Sequence, residues 1–270
     1  MPIALKYCLF AGSLFLLGCE QSVDWELDTD TEPRLVVEAI LTDEQRIQEI
    51  LLTQTFSDLN GSAPAVVDAR VEVSVNEVVY SFVPDPQQAG RYLSAEPFRV
   101  ISGLDYALLV EWEGTIYTAN STLSKVLPIP TPFFTPVGTT DSLQLGNFIP
   151  PFSSSEQALY RIDIDWTHLV DTAVLKQARL YYYTFSSIDM SQLIPPPREA
   201  VYIPKGSWVK IRKYGLNDDF ADYLRAKAIE TEWSGTFFYS VSDNLPTNLE
   251  NGGLGYFSTC AVFVDSLMAE

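Results

Sequence analysis

The carboxylates with a spacing suited to catalysis are Asp163 and Asp165, two positions apart in a segment that predicts a β-strand. Residues with this spacing share one strand face and lie about 7 Å apart. That separation suits the two carboxyl groups of an inverting glycoside hydrolase. Alternating acids on the wet face of a strand are far commoner, so we predict no enzyme and keep a paired-carboxylate hydrolase as the third hypothesis.

Residues for nucleophilic or metal chemistry are scarce. His168 is the single histidine, and Cys260 is the one cysteine beyond residue 19. Catalytic triads need a histidine near a nucleophile, and zinc sites need several His or Cys ligands. Asp218, Asp219 and Asp222 lack the Asp-x-Asp-x-Asp-Gly loop of a calcium site. We therefore expect no catalytic residue, metal or cofactor, and we predict that Cys260 is a small buried apolar residue.

The residue types that favour binding are aromatic. Consecutive aromatic residues on a strand point to both faces, so some should be exposed, and exposed Tyr or Trp often marks a contact with a ligand or partner. A thick aromatic core or a domain interface is the alternative explanation. Residues 252–255 are rich in glycine and predict a turn or bulge, because no strand–glycine–helix unit surrounds them. The candidate contacts are Tyr181, Tyr182, Tyr183, Trp208, Gly252, Gly253 and Gly255.

The first half of the chain has the pattern of a β-sandwich. Val71, Val73 and Val75 alternate with polar residues, so one face of their strand is apolar. About seven short strands within residues 34–126 predict an immunoglobulin- or transthyretin-like sandwich. The predicted strands are residues 34–41, 47–54, 70–75, 78–83, 90–93, 105–112 and 116–120.

A proline-rich segment at 127–140 predicts an extended linker, and residues 141–270 predict a second β-rich domain. One helix is expected near 217–232, with Asn217 as its N-cap and an apolar stripe from Phe220 to Ala228. The chain is thus predicted to be mostly β with a single helix. The predicted strands of the second half are residues 159–166, 178–186, 200–203, 207–213, 235–242 and 254–264.

The N-terminus has the pattern of an exported lipoprotein. Residues 1–18 combine Lys6 with an apolar run too short to span a bilayer, and they end in Leu-Leu-Gly before Cys19. This ending resembles a lipobox, in which the cysteine receives a diacylglyceryl group and a further acyl chain such as palmitate. Stable anchoring needs two or more chains. We therefore predict a signal peptide at 1–18, a lipid anchor on Cys19 and a solvated acidic tether at 19–33.

The charge of the chain excludes one class of partner. The sequence contains 17 basic and 35 acidic residues, for a formal net charge of −18. Binding to phosphate backbones requires a basic footprint. Nucleic acid is therefore not an expected partner.

Several motifs occur in the order found in one family. They are LVVEAILTDE at 35–44, AVVDARVEVSV at 65–75, IYTANSTL at 116–123 and NLPTNLENGGLGYFSTC at 244–260. In these motifs the chain resembles a family of Bacteroidota outer-membrane lipoproteins known as domain of unknown function 4249. The resemblance implies a two-part β protein at the outer membrane that is often encoded near TonB-dependent receptors, and hence a surface accessory to nutrient uptake. It supplies no catalytic residue.

Two functions follow as hypotheses. The leading one is a non-enzymatic lipoprotein, exposed on the cell surface, that acts as an accessory or binding partner of a TonB-dependent transporter. The alternative is a glycan- or peptide-binding module that uses the exposed aromatic residues.

Overall fold

The structure, a computed structural model, describes residues 32–56, 61–138, 141–169, 176–187, 200–231 and 245–270. The chain divides into two compact units, 1–32 and 33–270, and the description below concerns the second. Cys19, the predicted signal peptide, nearly all of the tether and the predicted strand 235–242 lie outside the described residues. Within the described residues, no helix has the length and apolar character needed to cross a membrane.

The described residues form fifteen strands and one helix. The prediction of a mostly β chain with one helix is confirmed. The elements are β1 (Leu35–Thr42), β2 (Glu49–Gln54), β3 (Arg70–Val75), β4 (Val78–Pro84), β5 (Arg91–Ser94), β6 (Asp105–Trp112), β7 (Thr115–Thr122), β8 (Phe134–Val137), β9 (Ser142–Leu145), β10 (Gln157–Asp165), β11 (Gln177–Thr184), β12 (Tyr202–Pro204), β13 (Trp208–Leu216), α1 (Asp218–Thr231), β14 (Leu254–Cys260) and β15 (Val262–Met268).

The strands of the first half join β14 in one eight-stranded sheet, in the order β14-β1-β2-β5-β4-β3-β6-β7. β14 runs parallel to β1, and the other pairs are antiparallel. Because side chains alternate along a strand, Val71, Val73 and Val75 enter the core as the sequence predicts. Burial of such side chains stabilises a fold by about 1.5–3 kcal/mol each.

The two edges of this sheet meet, so the sheet wraps around its own core in a sandwich-like arrangement. The Thr259 N–H of β14 donates to Ser121 Oγ of β7 at 2.9 Å. Asn248 Nδ2 donates to the carbonyls of Asn120 (3.0 Å) and Phe257 (2.8 Å), while its Oδ1 accepts from the Phe257 N–H at 3.0 Å. Among the described strands, no ladder joins β7 to β14, and the seam is closed by these side chains together with the backbone bond from the Glu250 N–H to the Thr118 carbonyl (2.9 Å).

The second half forms two further antiparallel sheets, β11-β10-β13-β15 and β12-β9-β8. A second core with Tyr160, Ile162, Ile211 and Ile203 joins them. β8, which includes Pro136, lies inside the predicted linker 127–140 and pairs with β9 as a hairpin.

Lys213 is a buried cation in this second half, with 1% of its surface exposed. Its Nζ forms an ion pair with Glu156 and lies 5.3 Å from the ring centroid of Tyr160. The Pro128 carbonyl is a third neighbour, at 3.4 Å. A buried charge is tolerated only when it is paired, so this cluster fixes the proline-rich segment against β13.

Helix α1 begins after Asn217, whose Oδ1 accepts a hydrogen bond from the Phe220 N–H at 2.8 Å. The predicted stripe is buried, and it packs on the outer side of β14. The Tyr256 ring centroid lies 5.0 Å from that of Phe220 and 5.1 Å from that of Tyr223. The prediction that the stripe makes core contacts therefore agrees with the packing.

The segment predicted as one strand, 254–264, is two strands in two sheets. The Ala261 N–H donates to the Ser124 carbonyl, and the Ala261 carbonyl accepts from the Gly215 N–H. These bonds fix the chain where it passes from β14 to β15. β14 lies in the sheet of the first half, although its residues fall in the predicted C-terminal domain. The division into domains at 34–126 and 141–270 stays a prediction.

Candidate functional site

A cleft of about 750 Å³ lies between the outer face of β1 and β2 and the face formed by β10, β11, β13 and α1. Outward positions of β1 and β2 face outward positions of β10 and β13, because the alternate positions fill the cores. The volume of the cleft is in the range of small-molecule binding sites. We call it the central cleft, and its charged and aromatic lining residues are Glu38, Arg46, Glu49, Arg91, Arg161, Asp163, Tyr181, Lys210, Arg212, Tyr214, Phe220, Tyr223, Lys227 and Tyr256.

The three consecutive tyrosines of β11 point to two faces, as strand alternation requires. Tyr182 packs into the core between the two smaller sheets, and Tyr183 stacks on Phe185 with ring centroids 5.6 Å apart. Tyr181 lines the central cleft and keeps 39% of its surface exposed. Of these three tyrosines, Tyr181 is therefore the one whose ring is exposed to a ligand in the cleft.

Further tyrosines of the central cleft are uncharged donors and acceptors. Burial raises the pKa of Tyr214 and also that of Tyr223. Tyr256 has its pKa raised for the same reason. Their hydroxyls therefore keep their protons at neutral pH, and the aromatic part of the cleft adds no negative charge.

Most cations of the central cleft are held by carboxylates. Arg212 Nη1 lies 2.6 Å from Glu44 Oε2, and Lys227 Nζ lies 3.2 Å from Glu38 Oε1. Both pairs join the second half of the chain to the first. Burial alone would lower the pKa of Lys227, but the charge of Glu38 and that of Tyr223 at the high pH where tyrosine ionises outweigh burial and leave the pKa raised.

Lys210 differs from these cations. It is exposed on β13, and it forms no ion pair with any residue of the described ranges. By contrast, Arg161 on the neighbouring strand donates to Asp163 at 2.8 Å. Lys210 is thus a cation of the cleft without an ion pair among the described residues, and its cross-strand neighbour Asp163 is bound by Arg161 and Arg179 instead.

Asp163, the first member of the candidate catalytic pair, is bound by two arginines. Arg179 Nε lies 2.6 Å from its Oδ1, and Arg161 Nε lies 2.8 Å from its Oδ2. Burial alone would raise the pKa of Asp163, but these bonds and charges outweigh it and leave the pKa lowered. A general acid needs a raised pKa, so this environment does not prepare Asp163 to donate a proton.

Asp165, the second member, caps the turn that follows β10. Its carboxylate accepts from the Thr167 N–H (2.8 Å), the Thr167 hydroxyl (2.7 Å) and Gln177 Nε2 (2.8 Å). The backbone bond from Thr167 is the main reason that the pKa of Asp165 is lowered. Both carboxylates are therefore charged at neutral pH, and neither has the environment of a proton donor.

Trp208 is 52% exposed and lines a second cleft of about 590 Å³. This second cleft lies beside the central cleft, and Asp163 and Lys210 line both. Asp165 and Arg179 also line it. The structure therefore separates Trp208 from Tyr181, and the two aromatic candidates belong to neighbouring sites.

The candidate glycines lie at the start of β14, next to its partner strand β1. The Gly252 carbonyl accepts from Arg34 Nε at 3.0 Å and from Arg34 Nη2 at 2.8 Å. A Cβ on Gly253 would lie 2.9 Å from Leu249 Cβ, and one on Gly255 would lie 2.0 Å from Val37 O. The chain's own atoms occupy the space at Gly253 and Gly255. In the described part of the chain, these glycines line neither cleft.

The other reactive residues lie apart from the clefts. His168 Nε2 is 3.1 Å from the Gly206 carbonyl. Cys260 is buried as predicted, and burial raises the pKa of its thiol to about 12. Among the residues that the structure describes, no group of three or more His, Cys, Asp or Glu side chains could hold a metal ion.

The cations of the central cleft are the residues that the sequence did not single out. Arg46 and Arg91 come from the eight-stranded sheet and its loops, Lys210 and Arg212 from β13, and Lys227 from α1. No local motif connects positions so far apart in the chain. The only available signal was the alternation of Lys210 and Arg212 on one face of a predicted strand.

The described residues thus define a mostly β protein with one packed helix and an open cleft lined by tyrosines and charges. The chain belongs to the family Domain of unknown function (DUF4249), whose model matches residues 20–265. No curated protein matches the chain. Among solved structures, the crystal structure of CBD12 from CALX1.2 is 9% identical, with 86% of this chain and 100% of that chain covered and a TM-score of 0.14. A likeness at that level carries no argument about this chain.

Proposed function

We propose that this protein is a membrane-anchored, non-enzymatic binding module that holds a glycan or peptide ligand in the central cleft. The proposal includes a role as an accessory to a TonB-dependent transporter at the outer membrane, exposed on the cell surface. The observation that carries ligand binding is the cleft of about 750 Å³ in which Tyr181 presents an exposed ring beside charged side chains. Concave sites with a few directed polar groups are typical of small-ligand binding.

Binding is favoured over hydrolysis by the electrostatics of the acidic pair. Asp163 and Asp165 both have lowered pKa values because arginines or hydrogen-bond donors stabilise their charged forms. A glycosidase of the inverting type needs one of its two acids protonated near neutral pH. The paired-carboxylate hydrolase is therefore the weakest of the three hypotheses.

The accessory role rests on the sequence. Cys19 ends a segment that resembles a lipobox, and the acidic run after it would let the folded part stand away from the lipid. The motifs shared with outer-membrane lipoproteins near TonB-dependent receptors favour a transporter as partner. An anchored module with a ligand cleft next to a transporter would raise the local concentration of ligand at the pore.

Ligand binding is tested with the full-length mature protein in mild detergent. A glycan array and a peptide array are probed with the wild type, with Tyr181→Ala and with Tyr202→Ala. Tyr202 is 55% exposed and lines neither cleft, so it is a matched control. We expect a bound ligand that Tyr181→Ala weakens by up to about tenfold and Tyr202→Ala leaves unchanged, since stacking on one ring contributes about 0.5–1.5 kcal/mol. Absence of any Tyr181-dependent ligand would refute the binding proposal.

The accessory role is tested separately by mild-detergent pull-down of the tagged protein from native membranes. We expect a TonB-dependent transporter to accompany the wild type, and Cys19→Ala to leave the membrane fraction without detergent. Protease should also digest the folded part on intact cells. A pull-down without a transporter, or protection from protease, would contradict the accessory role while leaving the binding assay to be judged by its own result.

A further inference from the structure

The lining of the central cleft contains more basic than acidic residues, whereas the chain as a whole is strongly acidic. The chain carries a formal net charge of −18 with only 17 basic residues. Six of these bases line the central cleft, against three carboxylates, Glu38, Glu49 and Asp163. Cations concentrated in a concave site raise its potential and favour an anionic ligand.

Ion pairs with the protein's own acids neutralise part of this charge. Glu44 lies 2.6 Å from Arg212 and 3.9 Å from Arg46, and Arg91 is paired with Asp85. Arginines keep further N–H donors after one pairing, because a guanidinium carries five. Lys210 has no ion pair within the described residues, so a ligand anion would bind it without displacing an internal partner.

The pairing register places Lys210 and Tyr181 on one face of the same sheet. Arg161 of β10 lies opposite Tyr181 of β11 on one side and Arg212 of β13 on the other. Lys210 lies two residues from Arg212 on the same face. With strands about 4.8 Å apart and a rise of about 3.4 Å per residue, Tyr181 and Lys210 are about 12 Å apart along the sheet. A short oligosaccharide spans such a distance.

Most strands that line the central cleft can contact a ligand through their side chains but not through backbone hydrogen bonds. β1 and β2 are interior strands of the eight-stranded sheet, and β10 and β13 are interior strands of the four-stranded sheet. The backbone groups of these four strands are therefore paired on both sides, and these strands offer no edge to which an extended peptide could add. β11, whose Tyr181 lines the cleft, is an edge strand of its sheet, so the acidic peptides in the test below probe that edge. Tyrosine rings and charged side chains remain for recognition, which suits a sugar that carries acid groups.

We propose that the ligand of the central cleft is an acidic oligosaccharide, whose carboxylate binds Lys210 and the neighbouring arginines while a sugar ring packs on Tyr181. This inference rests on the proposed binding function and adds the charge class of the ligand. The cross-strand neighbour of Lys210 is Asp163, which is already bound by Arg161 and Arg179. The ligand carboxylate would form the ion pair that Lys210 does not form with Asp163, and charge-assisted hydrogen bonds are stronger than neutral ones.

The test compares each acidic sugar with the same sugar after its charge is removed. The full-length mature protein in detergent is titrated with oligogalacturonates, oligomannuronates and sialyl-oligosaccharides, each beside its methyl ester, and with acidic hexapeptides. We expect at least one acid form to bind about tenfold or more tightly than its ester, because one charged hydrogen bond contributes about that factor.

Two lysine variants locate the charge effect. Lys210→Gln should remove most of the difference between acid and ester, whereas Lys205→Gln, an exposed lysine outside both clefts, should preserve it. Neither lysine has an ion pair to lose among the described residues, so both variants should unfold at the same urea concentration as the wild type.

The outcomes separate this inference from the proposed function. Equal binding of acid and ester forms, or tighter binding of the acidic peptides, overturns the acidic-oligosaccharide inference. If neutral glycans or esters still bind in a Tyr181-dependent way, the proposed function survives that result. If no probe or array ligand depends on Tyr181, the inference and the proposed function fail together.

Discussion

At Gly255 the backbone of β14 approaches β1 so closely that a side chain has no room. The residue has φ +83°, and a Cβ there would lie 2.0 Å from Val37 O and 2.9 Å from Val37 N. Gly114 has a similar φ of +78°, but a Cβ there would meet no atom within 4 Å. The first glycine is required by backbone contact and by conformation, whereas the second is required by conformation alone.

Gly255→Ala should therefore destabilise the protein by about 3 kcal/mol or more, because the strand must move away from β1. Gly114→Ala should cost about 1 kcal/mol, from the positive φ alone. Urea unfolding followed by circular dichroism measures both. Equal losses in the two variants would contradict a requirement set by close contact.

Asp163, which lines the central cleft, has a pKa that makes the stability of the fold depend on pH. Its pKa is lowered by Arg179 and Arg161 in spite of its burial. A carboxylate with a folded-state pKa below its unfolded value of about 3.9 contributes stability that is complete above that value. The contribution is lost as the pH falls through the folded-state pKa.

Asp163→Asn should consequently lower the free energy of unfolding by about 1 kcal/mol at pH 7, and the difference from the wild type should shrink below about pH 4. Urea midpoints at pH 7, 5 and 3.5 test this expectation. Asp105→Asn, which alters an exposed aspartate with no ion pair in the described residues, is the control. A wild-type advantage that is the same at all three pH values would show that the arginine pairing is not its source.

At the element scale, Asn248 joins the two edges of the eight-stranded sheet. One side chain bonds the carbonyl of Asn120 in β7 and both backbone groups of Phe257 in β14, at 2.8–3.0 Å. Ser121 and Thr259 add a second contact across the same seam. Closing a sheet in this way removes exposed strand edges, which are otherwise sites of aggregation.

Asn248→Ala should lower the free energy of unfolding by about 2 kcal/mol, because three hydrogen bonds disappear and the Phe257 N–H loses its acceptor. Hydrogen exchange at Phe257 should become faster than in the wild type. Asn147→Ala changes an exposed loop asparagine and should alter stability by less than about 0.5 kcal/mol. Unchanged exchange at Phe257 in Asn248→Ala would mean that the seam does not depend on this side chain.

At the scale of the whole molecule, β14 and β15 connect the two halves of the chain. β14 completes the large sheet, and β15 completes the four-stranded sheet. Cys260 lies at the end of β14, fully buried among residues of the helix core. Its thiol is therefore placed where opening of the contact between the halves would expose it.

Cys260 should resist a thiol reagent at pH 8 in native buffer, since burial raises its pKa to about 12 and excludes the reagent. Labelling should become fast at the urea concentration at which circular dichroism reports unfolding. Cys260→Ala supplies the blank for any other thiol. Complete labelling within seconds in native buffer would show that this junction opens without global unfolding.

Local patterns in the amino-acid sequence account for most of the strands of the first half and for the helix. Alternation predicted residues 70–75 and 105–112 as strands, and these are the bounds of β3 and β6. The cap at Asn217 and the apolar stripe predicted a helix at 217–232, and α1 spans Asp218–Thr231. These features depend on residues close together in the chain, so the spacing of apolar residues and the helix-capping residue can be read from the sequence.

The pairing of β14 with β1 and the composition of the central cleft, by contrast, depend on tertiary packing. The pairing joins Val36 to Leu254, and the cleft brings Arg46 within one site with Lys210 and Lys227. Such contacts join residues far apart in the chain, and no local period encodes them. Their positions follow from how whole sheets pack, because burial of the cores selects which outer faces oppose each other across the cleft.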